Sequence, residues 1–429
     1  MNFMRNTCAS GESFLRRILL LSLAAAGVIV PLIFSFFVKS VFSVPKLYAL
    51  AIILVIIVAA LACLVYRSGG LVLIKDRINT YLGLYGVTVV LSAIFTINYS
   101  SSLFGNYGRF MGLLNIVSML LLTFVVFNFV RSKKELYFIL WCMYGASLII
   151  VALGLLQHYG YFLTNLELTA EAGRAFSTLG HANHFGGYIV QMIFIALVLA
   201  IVNTRKTVRI LILLSQVFFL WALFETSSRG AFLAFVFCMG VLTIFTLVKF
   251  REPLRFAARR SLKKIMIGIL ASVIILGGVA FFARDSLKKI ELVQRTLFTI
   301  DFIRQGNVPD RVSWIYSSLE MIRDRPLLGF GVSTFQDIYN TYRRTDYYFP
   351  NGEQDQIVPE AAHNEYLNIA ATQGVPSLIF FLLMVGVVLK SAFKVGIKNT
   401  SNSIKSEEFV PILLACSLLA YLVQVFLSF

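Results

Sequence analysis

Apolar runs of about twenty residues recur along nearly the whole chain, and water offers no place to fold them. The stretch 47–66 holds no charged side chain at all. A bilayer core of ~30 Å is crossed by a helix of about twenty apolar residues, and inside it every backbone N–H and C=O must bond within the segment or to a neighbour. Equivalent runs at 18–38, 47–66, 78–97, 111–130, 136–157, 184–203, 209–226, 229–248, 265–283, 375–393 and 409–429 predict eleven membrane spans. Solid apolar blocks exclude a β-barrel, whose strands alternate over ~10 residues. With 58% hydrophobic and 14% charged residues, the expected fold is an all-α polytopic membrane protein. The run that follows Arg16 and Arg17 is too long for a signal peptide and reads as the first span.

The net charge of +17 could suggest nucleic acid. Its distribution points instead to membrane lipid and orientation, because the basic residues gather in short loops between spans. Loops expected inside each carry at least three Lys or Arg, whereas the short outer loops carry only Lys39, Lys46, Arg109, Arg174 and Arg229. This alternation places the amino terminus in the cytoplasm. The sequence stops at Phe429 directly after an apolar span, so a twelfth helix is expected beyond it. Cys63, Cys142, Cys238 and Cys416 fall inside expected spans and Cys8 precedes the first, so no disulfide framework is expected in the outer loop.

One long polar segment interrupts the series and divides the chain. Residues 1–283 hold nine spans, 284–374 form a large extracytoplasmic loop, and 375–429 hold the last two. Within the loop, Asp310–Arg325 carries apolar residues at helical spacing and Pro326 stops it. A surface helix is expected over 286–303. A third helix is expected from Pro359 to Gln373, ending at Gly374, and it places His363, Leu367 and Ala370 on one face.

All four histidines lie at the expected outer side, and His363 is the best placed to take a proton near neutral pH. A capping or solvated histidine is the plainer alternative. His181 and His184 have a spacing that suits zinc, yet no Cys or carboxylate stands at ligand distance in sequence, and polar lining of the membrane boundary serves equally. Arg109, Arg174, Arg229 and Arg311 lie at the outer edge, where a guanidinium needs a partner or an anionic ligand. For Arg229 that partner could be Glu225, four residues back, or a phosphate. No Walker loop, Cys-x-x-Cys or Gly-x-Ser-x-Gly elbow occurs, and the first outer loop, Lys39–Lys46, holds no acidic residue.

Together these residues resemble a family. His363-Asn364 followed after nine residues by Gly374 resembles the H-N-x9-G signature of the O-antigen ligase and O-antigen polymerase superfamily. Arg311-x-x-Trp314 and Pro326-Leu-Leu-Gly329-x-Gly331-x-x-x-Phe335 are similar to its other outer-loop pattern. Ser228-Arg229-Gly230-Ala231 and Gly180-x-x-Asn183 are similar to its membrane-edge motifs. At 181–183 family members often have Asn-Pro-Asn, so only Asn183 carries over. The resemblance implies a GT-C-like membrane glycosyltransferase that moves a glycan from a polyprenyl (undecaprenyl) diphosphate carrier to an acceptor hydroxyl. It also implies a bacterial inner membrane with the site facing the periplasm. His363 would be the base, and Arg174, Arg229 and Arg311 would hold the donor diphosphate, inverting the anomeric centre without metal or cofactor. Asn183, Asn364, Arg109 and Gly331 would support the site or face the acceptor. The acceptor could be a growing glycan, a lipid core or a protein hydroxyl. A lipid-linked glycan flippase or secondary transporter is the competing reading, although such proteins usually place ionisable groups at the midplane and these spans carry few.

Overall fold

A computed structural model describes residues 2–70, 73–106, 109–162, 173–249, 310–343, 358–398 and 406–427. Among them every regular element is a helix: α1 Asn2–Leu32, α2 Ser43–Ser68, α3 Arg77–Ile94, α4 Tyr99–Phe104, α5 Leu113–Phe129, α6 Lys133–His158, α7 Ala182–Val202, α8 Lys206–Glu225 and α9 Arg229–Lys249. After the undescribed stretch follow α10 Asp310–Asp324, α11 Phe335–Tyr342, α12 Glu365–Gln373, α13 Val375–Lys398 and α14 Val410–Leu427, with short 3-10 turns at Ser177–Leu179 and Ser406–Phe409.

Eight of these helices are long and apolar enough to cross a bilayer: α1 from Ser13, then α2, α6, α7, α8, α9, α13 and α14. The expected third and fourth spans are present as α3, 18 residues, and α5, 17 residues. Neither is among the eight. The expected ninth span and the surface helix 286–303 lie outside the described residues. Large apolar side chains stand outward along α2 and α8, for instance Ile52, Val55, Val58, Leu211, Leu214 and Val217. Water would not tolerate such faces, whereas hydrocarbon does.

The first span ends earlier than its composition suggests, at Leu32 rather than Val38. There the chain turns, closed by a hydrogen bond from the Ser35 N–H to the Val41 carbonyl at 2.9 Å. Phe34 packs edge-on against Phe36 and Phe162, with centroids 5.7 and 5.8 Å away. Apolar residues that look like the end of a span therefore form an aromatic turn.

Helix α7 is the centre of the bundle. Phe185, Ile189, Val190, Phe194, Ala196, Val198 and Leu199 are all fully buried, enclosed by α6, α8, α9 and α14. A second cluster joins α1, α2 and α5. Arg16 ties it to the start of α6, reaching Glu135 at 3.2 Å, while Glu135 and Ser132 close a capping box there.

The described part of the polar segment sits on the C-terminal ends of α3 and α14 and the N-terminal end of α13. Its small core is Trp314, Met321, Phe330, Phe335, Tyr339, Ala362 and Ala371. Two chain segments interlock in it. The Phe330 and Gly331 N–H groups donate to the Ala371 and Thr372 carbonyls at 3.3 and 2.8 Å, and the Val375 N–H donates to the Pro326 carbonyl at 2.8 Å. The approach is close enough that a Cβ on Gly374 would strike the Leu327 carbonyl, and one on Gly331 would strike Thr96. Both glycines have positive φ, +89° and +115°, so their place in the sequence pattern has a steric cause.

Candidate active site

Arg174 precedes α7, yet its side chain is sewn to a different segment. Its Nε donates to the Thr226 carbonyl at 3.0 Å and its Nη2 to Asn183 Oδ1 at 3.0 Å. Ser228 Oγ donates to the same Asn183 oxygen at 3.0 Å, and the Ala175 N–H donates to the Glu225 carbonyl at 2.9 Å. Asn183 thus fastens the loop before α7 to the turn before α9. Gln424 of α14 adds a third tie by donating to the Asn183 carbonyl. Glu225, weighed as a partner for Arg229, accepts from Trp221 Nε1 at 2.9 Å and pairs with His158 at 3.0 Å.

Around this knot lies a cavity of about 250 Å³ lined by Arg174, Asn183, Ser227, Arg229, Gly230, Leu233, Arg311 and Leu427. Three arginines from three separate segments meet there, and no carboxylate lines it among the described residues. Arg229 is the first residue of α9, so the positive end of that helix adds to the charge. Arg311, on the first turn of α10, also donates to the Leu427 carbonyl at 2.8 Å. Such a concentration of guanidinium groups suits an anion with several oxygens.

Three residues beyond Arg311 on α10, Trp314 carries His363 on its face. The two rings stack with centroids 4.4 Å apart and planes 26° apart. His363 is not one turn into a helix, as its spacing suggested. The helix begins only at Glu365, because Asn364 takes the N-cap position and its side chain accepts from the Tyr366 and Leu367 N–H groups at 3.1 and 3.2 Å. Leu367 and Ala370 therefore do not share a helical face with His363. Instead His363 adopts φ +51°, a conformation that costs a non-glycine residue on the order of 1–2 kcal/mol. Asn364 also donates to the Phe426 carbonyl at 3.3 Å, docking this corner on α14.

Strain concentrates at these segments. Among the described residues the non-glycine positions with positive φ are Phe110, Ser177, Ser227, Ser333 and His363. Each is, or stands within three residues of, Arg109, Arg174, Arg229, Gly331 or His363. Strained backbone held at such places is a common mark of functional loops.

Arg109 goes elsewhere. It pairs with Glu360 at 2.6 Å and lines a second cavity, of about 370 Å³, together with Glu365. Burial pushes the Glu365 carboxyl up to about 7, against the opposing influence of Arg109 and a hydrogen bond from Asn368. Glu360 and Glu365 had not been singled out from sequence. Glu365 directly follows His363-Asn364, an adjacency that could have signalled it. Gly331 packs on Thr96 and acts through the backbone. His181 caps α7, its Nδ1 accepting from the Asn183 N–H at 3.1 Å, and its ring lies 5.1 Å from that of His184.

The fold and site define a multi-pass membrane protein, helical throughout the described residues, with an arginine-lined cavity whose Arg311 shares a helix with the tryptophan that carries His363. Residues 214–382 match the family model of the O-antigen ligase domain, which supports the resemblance to the O-antigen ligase and polymerase superfamily over that stretch. Arg229, Arg311, Trp314, His363 and Gly374 all fall within the match, while Arg109, Arg174 and Asn183 precede it. No curated protein sequence matches the chain.

Proposed function

We propose that the protein is a membrane glycosyltransferase that moves a glycan from a polyprenyl diphosphate carrier to an acceptor hydroxyl. It works at the outer face of the bacterial cytoplasmic membrane, with a GT-C-like arrangement of eleven or more spans and a cytoplasmic amino terminus. The observation that carries this reading is the meeting of Arg174, Arg229 and Arg311 on one cavity, with Arg311 on the helix whose Trp314 supports His363.

In the step itself, a lone pair of the acceptor oxygen attacks the anomeric carbon from the side opposite the diphosphate. The C–O bond to the diphosphate breaks, its electron pair leaves with the carrier, and the configuration inverts. His363 accepts the hydroxyl proton. General-base assistance of this kind contributes ~10²–10⁴-fold. The indole beneath the imidazole holds its plane and attracts the cation formed on protonation. Arg174, Arg229 and Arg311 neutralise the charge that grows on the leaving diphosphate, the role that a divalent ion plays elsewhere. Asn183 fixes Arg174 and is therefore a positioning residue.

Glycan transfer by the purified protein from polyprenyl diphosphate oligosaccharide tests the proposal. Transfer is expected to persist in EDTA and to vanish in His363→Ala and Arg229→Ala variants that remain folded. Undiminished transfer by both variants would overturn it, and movement of labelled lipid across the bilayer without transfer would favour a flippase.

A further inference from the structure

The second cavity differs from the first in charge and in size. Its lining is part polar, with Asn106, Arg109, Glu360 and Glu365, and part apolar, with Met119, Leu120, Phe381 and Met384. Helix α5 contributes Asn115, Ile116, Met119, Leu120 and Thr123, one face that runs about 12 Å at ~1.5 Å per residue. The lining therefore sets hydrogen-bonding groups beside hydrocarbon.

Charge decides what can enter. Arg109 is already matched by Glu360 at 2.6 Å, and Glu365 adds a second carboxyl. A phosphate would have to displace Glu360 from Arg109 and leave that carboxylate unpaired beside it. Hydroxyl groups suit the polar lining, because each can donate to a carboxylate and accept from an amide or guanidinium. Tyr85, Tyr421 and Phe381 supply aromatic faces for the apolar edges of a ring, and methionine adapts to an irregular chain.

We infer that this cavity binds a neutral, hydroxyl-bearing amphiphile, sugar against its polar lining and apolar chain against α5 and α13, and that it is the acceptor's site. The acceptor assignment rests on the transferase reading above. Its warrant is connectivity: Glu365 lines this cavity, and the preceding His363 stacks on the helix that carries Arg311 into the other. The tripeptide 363–365 thus joins an anion site to a neutral one, as transfer from a diphosphate to a hydroxyl requires.

The probe is a dodecyl β-maltoside bearing a diazirine on its chain, applied to the full chain in nanodiscs. Labelling is expected in peptides of α5 and α13. Unlabelled dodecyl maltoside should compete at least about tenfold better than dodecyl phosphate, a preference of roughly 1.4 kcal/mol. Met119→Trp, which adds bulk to the apolar lining, should reduce labelling about tenfold while the thermal midpoint stays near that of the parent. Asn115→Leu, which removes one polar lining group without filling the cavity, should weaken it less. Equal competition by dodecyl phosphate, or labelling indifferent to Met119→Trp, overturns the cavity's proposed chemistry. His363→Ala should label like the parent, so loss of transfer and loss of labelling report separately. In the transfer assay, dodecyl maltoside should inhibit without competing against the diphosphate donor. Inhibition that added donor relieves would overturn the acceptor assignment.

Discussion

The imidazole of His363 rests on the indole of Trp314, centroids 4.4 Å apart, and Trp314 is itself buried with its Nε1 unpartnered among the described residues. The two residues lie 49 positions apart in the chain, so the stack is a tertiary contact that orients the candidate base. Trp314→Leu should lower kcat on the order of a hundredfold, the scale of a misplacement of about 1 Å, with little change in donor KM. Trp314→Phe keeps an aromatic face and should retain most of the rate. Equal losses in both variants would show that the ring face does not position His363.

Asn183 accepts from Arg174 and Ser228 on one oxygen. Asn183→Leu removes an acceptor from a buried guanidinium, which costs roughly 1.5–3 kcal/mol, and the thermal midpoint should fall. Donor KM should rise about tenfold as Arg174 loses its direction. Asn183→Asp restores an acceptor and should recover the midpoint, yet it brings a negative charge into the arginine cavity and should leave the donor KM high.

Gly374 has φ +89° and lies against the Leu327 carbonyl. Gly374→Ala must move that contact as well as hold a strained φ, and strain of this kind alone costs about 1–3 kcal/mol. A drop in midpoint with reduced activity is expected, whereas Gly386→Ala, where an added Cβ meets nothing within 4 Å, should be close to neutral. Equal behaviour of the two would contradict the interlock of 326–332 with 371–375.

Glu365 gives the fold a signed pH dependence. Its folded-state pKa, about 7, exceeds the ordinary 4.5, so between those values the folded chain holds a proton that the unfolded chain has released. Stability contributed by the protonated form is full below about pH 4.5 and is lost as pH rises through about 7. Arg109, Glu360, Tyr85 and Tyr421 line the same cavity. Thermal midpoints of the parent and Glu365→Gln across this window should diverge upward, the glutamine variant declining less. Parallel curves would show that Glu365 keeps its ordinary pKa.

The spans were legible because the bilayer demands a composition that few other environments allow, and α2, α6, α7, α8, α9, α13 and α14 appear within a few residues of their expected places. Ends were less legible. The Phe34–Val38 stretch is apolar enough to continue a helix, yet its aromatic rings pack into a turn. Around His363 local signals competed: the helix was expected to start at Pro359, and Asn364 followed by Glu365 is the cap that formed. The arginines were visible one by one as costly charges, but their convergence is tertiary, since Arg174, Arg229 and Arg311 lie on three separate segments. Only motif resemblance linked them beforehand. Of the amphiphilic cavity only Arg109 and the Glu365 next to His363-Asn364 left a sequence signal, because α3, α5, α12, α13 and α14 otherwise contribute a few ordinary residues each.

The most direct measurement separates donor binding from chemistry. Binding of polyprenyl diphosphate to the purified protein, followed by single-turnover transfer, should be compared in the parent, His363→Ala and Arg229→Gln. The account predicts that His363→Ala binds the diphosphate like the parent and transfers on the order of 10²–10⁴-fold more slowly. Arg229→Gln should bind at least about tenfold more weakly, a loss of roughly 1.4 kcal/mol. Undiminished binding in Arg229→Gln together with parental single-turnover rates in His363→Ala would contradict it.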